Sequence, residues 1–113
     1  MQRHFRLTRS TDFKRVRNYG KSFAHPLVVL IVHVSDETGL RVGVTAGRSF
    51  GSAVRRNRAK RLLRESVRPL IPALSPGRDL MLIARPPLLD ADFTEIQAAL
   101  RSLLARVGLY PGS

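Results

Sequence analysis

The sequence predicts an α+β fold, an α/β sandwich with its elements in the order α-β-β-α-β-α. Three observations lead there. Short β-branched runs sit between turn residues, longer stretches repeat their apolar residues at the helical period, and 113 residues with 43% apolar content suit one modest core. Ser10 or Thr11 can cap a first short helix through about Asn18, with Phe13 and Val16 inward and Gly20 as its stop. Leu27 to Val34 is a β-branched run bounded by Pro26 and the turn Ser35-Asp36-Glu37-Thr38-Gly39. Leu40 to Ala46 then resumes with Val42 and Val44 alternating against Arg41 and Gly43, and the two runs together predict a β-hairpin.

Gly47 to Gly51 reads as a glycine-flanked loop, after which Ser52 or Ala53 opens a second helix that runs to about Leu70, before Pro72. The helical period puts Ala59, Leu62, Leu63, Ser66, Val67 and Leu70 on one side and Asn57, Lys60, Arg61, Arg64 and Arg68 on the other. Arg78 to Ala84 reads as a third long strand, ended by Arg85-Pro86-Pro87. The last helix starts near Asp92, whose spacing to Glu95 forms a capping box, carries the stripe Phe93, Ile96, Leu100, Leu103, Leu104 and Val107, and stops at Gly108. Repeats, low-complexity tracts and long linkers are absent, so residues 1–113 read as one domain with an ordered core of about 5–110.

Charge narrows the function. Twenty Lys plus Arg against eight Asp plus Glu give +12, which points to a polyanion, nucleic acid first of all. Residues 1–78 hold 17 basic and 4 acidic side chains, and residues 79–113 hold 3 and 4, so the binding surface belongs to the first two thirds. The longest apolar run, Leu27 to Val34 interrupted by His33, is far below the roughly 18 to 20 residues of a membrane span. The start MQRHFRLTRS lacks the apolar core of a secretory signal, and a cytoplasmic location is expected. Without cysteine there is no disulfide, thiol nucleophile or cysteine zinc site, and His4, His25 and His33 are scattered.

The strongest functional signal is AVRRNRAKRLLRE, residues 53–65, where Arg55, Arg56, Arg58, Lys60, Arg61 and Arg64 precede the first acidic residue, Glu65. Solvated helix faces ordinarily mix signs; this one barely does, and phosphate contact is the favoured reading over a plain solvated face. Guanidinium groups bind phosphate in bidentate fashion and stack on bases, so structured RNA is as plausible as DNA. Asn57, a poor helix former on the exposed side, reads a base edge or a sugar hydroxyl, or is simply tolerated. Arg3, Arg6 and Arg9 are either a basic terminus or a second contact for the same polyanion. On pattern alone Phe13 is core rather than a stacking platform, His33 a core or rim histidine, and His25 a turn residue before Pro26. Asp90 and Asp92 resemble paired carboxylates, but a helix start explains them as caps. No nucleophile, base and orienter come together, so the chain binds nucleic acid and has no catalytic residue of its own.

The same string, Ala53-Val54-Arg55-Arg56-Asn57-Arg58-Ala59-Lys60-Arg61-Leu62-Leu63-Arg64-Glu65, resembles the signature of the bacterial ribonuclease P protein component. Arg6-Leu7, Asp12-Phe13, Val16 and Gly20 are similar to that family's opening, and Leu40-Arg41-Val42-Gly43 with Gly51 matches the strand leading into its basic helix. The resemblance runs to about Tyr110. It implies a small, mostly antiparallel sheet, a fold shared with ribosomal domains, and a left-handed crossover through the Arg-rich helix, where generic rules would give a right-handed one. It also implies the protein subunit of a ribonucleoprotein endoribonuclease whose RNA carries out catalysis, removing the 5′ leader of precursor tRNA. The partners would be the catalytic RNA, with one protein per RNA, and precursor tRNA; a membrane or a small-molecule substrate is not expected. Magnesium ions would be held mainly by RNA and none by the protein alone.

Carried over residue by residue, the resemblance assigns Arg56, Asn57, Arg58, Lys60, Arg61 and Arg64 to the catalytic RNA. It assigns Phe13, Arg17, Val29, Ile31 and Arg48 to a cleft between the first helix and the sheet that takes the single-stranded leader, which moves Phe13 from core toward contact. In Thr45-Ala46-Gly47-Arg48-Ser49 only Arg48 keeps a positive charge where the family commonly reads Ser-Lys-Lys, and Arg17 and Ile31 stand where many relatives have aromatics. Guanidinium stacking and apolar contact would replace part of the base stacking there. The rival functions are a ribosomal or RNA-chaperone protein and, last, a DNA-binding regulator, whose recognition helix would need a partner helix packed across it.

Overall fold

The structure, a computed structural model, describes residues 10–34, 39–74 and 77–110, with the side chains of residues 10–13 and 15 outside that description. Its elements are α1 (Ser10–Tyr19), β1 (Lys21–Ala24), β2 (Val28–Val34), β3 (Leu40–Ala46), α2 (Ala53–Val67), β4 (Arg78–Ala84) and α3 (Phe93–Arg106), with short 3-10 turns over Arg48–Phe50, Arg68–Ala73 and Pro86–Asp90. The strands form one sheet in the order β1-β2-β4-β3. β1 with β2 and β2 with β4 are antiparallel, and β3 with β4 is parallel. The α+β class holds, as does the mostly antiparallel sheet, with α2 joining the parallel pair as the crossover element.

Three expectations are corrected. Residues 28–34 and 40–46 are strands, but they are not hairpin partners, because β4 lies between them. The reason is apolar load: β4 buries Leu80, Leu82 and Ala84 toward one face and Met81 toward the other, so it needs a strand on each side, and an edge place would expose it. The hairpin is instead β1 with β2, in register from Lys21 opposite Val32 to Ala24 opposite Val29. Its turn is held by the His25 amide donating to the Val28 carbonyl at 3.0 Å and the Leu27 amide donating to His25 Nδ1 at 3.1 Å, so His25 is the turn residue expected. β1 escapes sequence reading because Lys-Ser-Phe-Ala is short and mostly exposed. Third, α2 ends at Val67 rather than near Leu70. Pro69 has no N–H to return to the Glu65 carbonyl, and the chain tightens into a 3-10 turn.

The sheet has two unequal faces. Val28, Leu30, Val42, Val44, Leu80 and Leu82 join Ala59, Leu63, Val67, Ile96, Leu100, Leu103 and Leu104 in the main core beneath α2 and α3. Asp92 caps α3 as the sequence indicates: its Oδ1 accepts from the Glu95 amide at 2.8 Å, while Glu95 Oε1 accepts from the Asp92 amide at 3.3 Å. Among the described residues the other face carries only α1, over a small cluster of Val16, Ile31 and Met81 flanked by Val29 and Ile83.

Gly20 sets how closely α1 approaches that face. A Cβ there would stand 2.5 Å from the Val16 carbonyl oxygen, 2.6 Å from Ile31 Cγ2 and 2.9 Å from the Val32 carbonyl oxygen, so two of its three obstacles are backbone. Gly20→Ala is therefore expected to lever the end of α1 off β2 and to destabilise the protein by about 1 to 3 kcal/mol. Chemical denaturation checks this, and a stability within experimental error of wild type would refute the close-approach reading.

Candidate nucleic-acid interface

α2 is built to present cations. Gly51, at φ +87°, turns the chain into the helix, and Ser52 caps it, with its Oγ accepting from the Arg55 amide at 3.2 Å. Ala59, Leu63, Ser66 and Val67 are buried against the core, with the Ser66 hydroxyl donating to the Leu62 carbonyl at 2.7 Å and Leu62 itself half-buried. The opposite side follows from the same period: Asn57, Arg58 and Arg61 are exposed, and Arg56, Lys60 and Arg64 are half-buried. The first turn holds no acidic residue. Since a helix N-terminus carries a partial positive charge, Arg55, Arg56 and Arg58 stand at its unfavourable end. Among the described residues the side chains of Arg55, Arg56, Arg58, Lys60 and Arg61 make no ion pair.

The second candidate surface is the α1 face of the sheet. Val29 lies there half-buried, and Ile31 is closed over by Val16 and Met81, so it supports α1 more than it offers contact area. Arg17 and Lys14 are exposed on α1, and Thr45 pairs in register with Ile83 on the floor beside it. Arg48 is exposed in the 3-10 turn that follows β3, anchored by buried Phe50, and so stands on the connection from this face to α2. Phe13 precedes Val16 by three residues in α1, but its side chain lies outside the described residues. Arg3, Arg6, Arg9 and the turn Ser35 to Thr38 also lie outside them. The structure thus gathers Arg17, Val29 and Ile31 on one side of the sheet and the α2 cations on the other, with Arg48 between.

One charged group was not singled out by sequence. Asp79, 1% exposed at the start of β4, accepts from Arg41 Nε at 3.0 Å and from Arg41 Nη2 at 2.9 Å. Arg41 is Asp79's register partner across the parallel pair, and His33 is its partner across the antiparallel one. His33 is half-buried at the rim, as expected, with its Nδ1 buried and without a hydrogen-bond partner among the described residues. Only strand pairing brings residues 33, 41 and 79 into one row, so no local pattern could have found it. Among the described residues, no three His, Asp or Glu side chains gather closely enough to hold a metal ion.

Comparison with known proteins accords with this geometry. Residues 1–108 match the family model described as Ribonuclease P. The ribonuclease P protein component of Chloroflexus aurantiacus is 41% identical over 112 residues, covering 98% of this chain and 83% of that protein. That of Symbiobacterium thermophilum is 42% identical over 112 residues, covering 96% of each. Among solved structures, the Staphylococcus aureus RNase P protein superposes with a TM-score of 0.81 at 27% identity, over 94% of this chain and 97% of that one. The Thermotoga maritima RNase P protein gives 0.78 at 30% identity, over 89% and 96%. The resemblance carried by residues 53–65 is borne out along the chain, which belongs to the ribonuclease P protein family, the protein components that work with an RNA subunit in the tRNA-processing endoribonuclease.

Proposed function

We propose that the two faces divide the work: the outer side of α2 holds the catalytic RNA, and the α1 side of the sheet takes the single-stranded 5′ leader of precursor tRNA. The observation that carries this is the set of five α2 cations without an ion-pair partner among the described residues, of which Arg55 and Arg56 also stand at the helix end whose dipole opposes them. RNA phosphates supply the missing charge. Arg56, Asn57, Arg58, Lys60, Arg61 and Arg64 form that contact, while Phe13, Arg17, Val29 and Arg48 line the leader path and Ile31 braces it from beneath. One protein pairs with one RNA in the cytoplasm. Magnesium, which prefers oxygen ligands and retained water, suits RNA phosphates better than this chain, whose described residues gather no cluster of carboxylates. The protein then acts by positioning and by charge, leaving bond cleavage to the RNA.

The test is reconstitution with a bacterial ribonuclease P RNA. Phe13→Ala should leave assembly nearly intact yet weaken binding of leader-bearing precursor by roughly 1 to 3 kcal/mol, the worth of one base stacked on an aromatic ring. Mature tRNA, which has no leader, should bind both complexes equally. Equal losses for leaderless and leader-bearing tRNA, or unfolding of the variant, would return Phe13 to the core and refute the leader path.

A further inference from the structure

Val54 is the most exposed of the large apolar side chains among the described residues, at 78%. It stands in the first turn of α2, two residues after the Ser52 cap. Helix formation does not ask for it, since a β-branched side chain makes a poorer helix than alanine. Packing does not ask for it either. A hydrophobic staple would need an apolar residue just before the cap, where Gly51 stands, and the buried series Ala59, Leu63 and Val67 faces the core from the opposite side of the helix.

Its neighbours are all polar. At 100° per residue, Arg61, Arg58 and Asn57 lie about 20°, 40° and 60° around the helix from Val54, and all three are exposed. The one acidic residue of α2, Glu65, comes only after them. The outermost line of α2 is therefore a carbon surface set inside a cationic patch.

Phosphate gives that carbon surface nothing to gain. A regular A-form duplex presents phosphates and, across its wide minor groove, hydroxyls and base edges, while the base faces stay hidden in the stack. Only an unstacked base offers a flat apolar face, and its polar edge is then free to be read. Val54 and Asn57 match those two halves. The valine methyls suit the face, and about 5 Å further along the helix an exposed side-chain amide both donates and accepts, as a base edge requires. Arg58 and Arg61 are placed to take the phosphates on either side.

We propose that Val54 seats an unpaired base of the catalytic RNA on the outer side of α2, with Asn57 bonding to that base's edge, so that the helix recognises a bulge or loop and not merely a ridge of phosphates. This rests on the assignment of α2 to the catalytic RNA made above. The measurement is affinity for a bacterial ribonuclease P RNA across a salt series, for wild type, Val54→Ala, Val54→Ile and Arg58→Ala. Val54→Ala should bind roughly 3- to 15-fold more weakly at every salt concentration with an unchanged slope, because an apolar contact releases no counterions. Val54→Ile, which keeps the carbon surface, should bind like wild type. Arg58→Ala should instead flatten the slope of log affinity against log salt by about 0.7 to 0.9. Acylation of RNA 2′-hydroxyls should show an unpaired nucleotide that wild type protects and Val54→Ala leaves reactive. The melting temperature should not fall, since the side chain is exposed and alanine is the better helix former.

Affinity of Val54→Ala within twofold of wild type would overturn the proposal, and so would a loss accompanied by a flattened salt slope, which would trace the effect to displaced cations. Acylation changes confined to paired nucleotides would also overturn it. The two levels separate in the same experiment. If Arg58→Ala changes neither affinity nor slope, the α2 assignment fails and takes the base contact with it. If Arg58→Ala behaves as expected while Val54→Ala binds like wild type, only the base contact fails.

Discussion

Replacing Arg56, Asn57 and Arg58 together with alanine is expected to weaken assembly with the catalytic RNA by at least about 3 kcal/mol, roughly a hundredfold or more. Each arginine removes charge-assisted hydrogen bonds to phosphate, worth about 1.5 to 3 kcal/mol where the contact is desolvated. Two lost cations should also flatten the dependence of log affinity on log salt by roughly 1.5 to 2. The protein itself should not suffer. Asn57 and Arg58 are exposed and Arg56 half-buried, none belongs to the core, and alanine is the better helix former. Removing two cations from the positive end of α2 also relieves repulsion, so the melting temperature should stay level or rise. Affinity and melting temperature therefore move in opposite senses, a signature that a structural role for these residues cannot produce. A folded variant that keeps its RNA affinity within a few-fold, with an unchanged salt slope, would refute the assignment of α2 to the catalytic RNA.

That α2 was legible from sequence and the sheet edge was not follows from where the information lies. A one-sided helix announces itself within its own residues: the Ser52 cap, the buried series Ala59, Leu63, Ser66 and Val67, and the cations between them are all set by the 3.6-residue period. The Asp92 and Glu95 capping box and the strand Arg78 to Ala84 are local in the same sense. Pairing is not local. The alternation that marks 28–34 and 40–46 as strands is the same whether they neighbour each other or flank β4, so pattern alone predicts the wrong hairpin partner. The short strand β1 carries one half-buried residue in four, Phe23, too little for a period to show. Without β1 the sequence leaves residues 21–24 unassigned between the first helix and the run that starts at Leu27. The family resemblance supplied the division into two RNA surfaces, which charge alone could not, since the 17 basic residues of positions 1–78 carry no label for which RNA they meet.

Breaking the Arg41 and Asp79 pair should be the most damaging single change to stability. Arg41→Ala is expected to destabilise the protein by about 3 to 5 kcal/mol, a large share of the 5 to 15 kcal/mol typical of a small domain. The asymmetry between the partners gives the expectation its shape. The Asp79 side chain is 1% exposed and fixed at the start of β4, so without Arg41 its charge stays in the interior, short of the two donors at 2.9 and 3.0 Å. Arg41, with 20% of its side chain exposed, can swing its guanidinium outward when Asp79 is lost, so Asp79→Leu should cost less than Arg41→Ala. The double replacement Arg41→Met with Asp79→Leu removes both charges and keeps the volume. It should recover most of the loss, since a buried ion pair is often matched by well-packed apolar side chains. Denaturant midpoints with an unchanged slope measure all three. The α2 cations lie on the other side of the sheet, so Arg41→Ala should retain its RNA affinity at temperatures where it remains folded and lose it only as it melts, the reverse of the α2 variant. Were Arg41→Ala to fall within about 1 kcal/mol of wild type, or the double replacement to be worse than either single one, the buried pair would not carry the stability assigned to it.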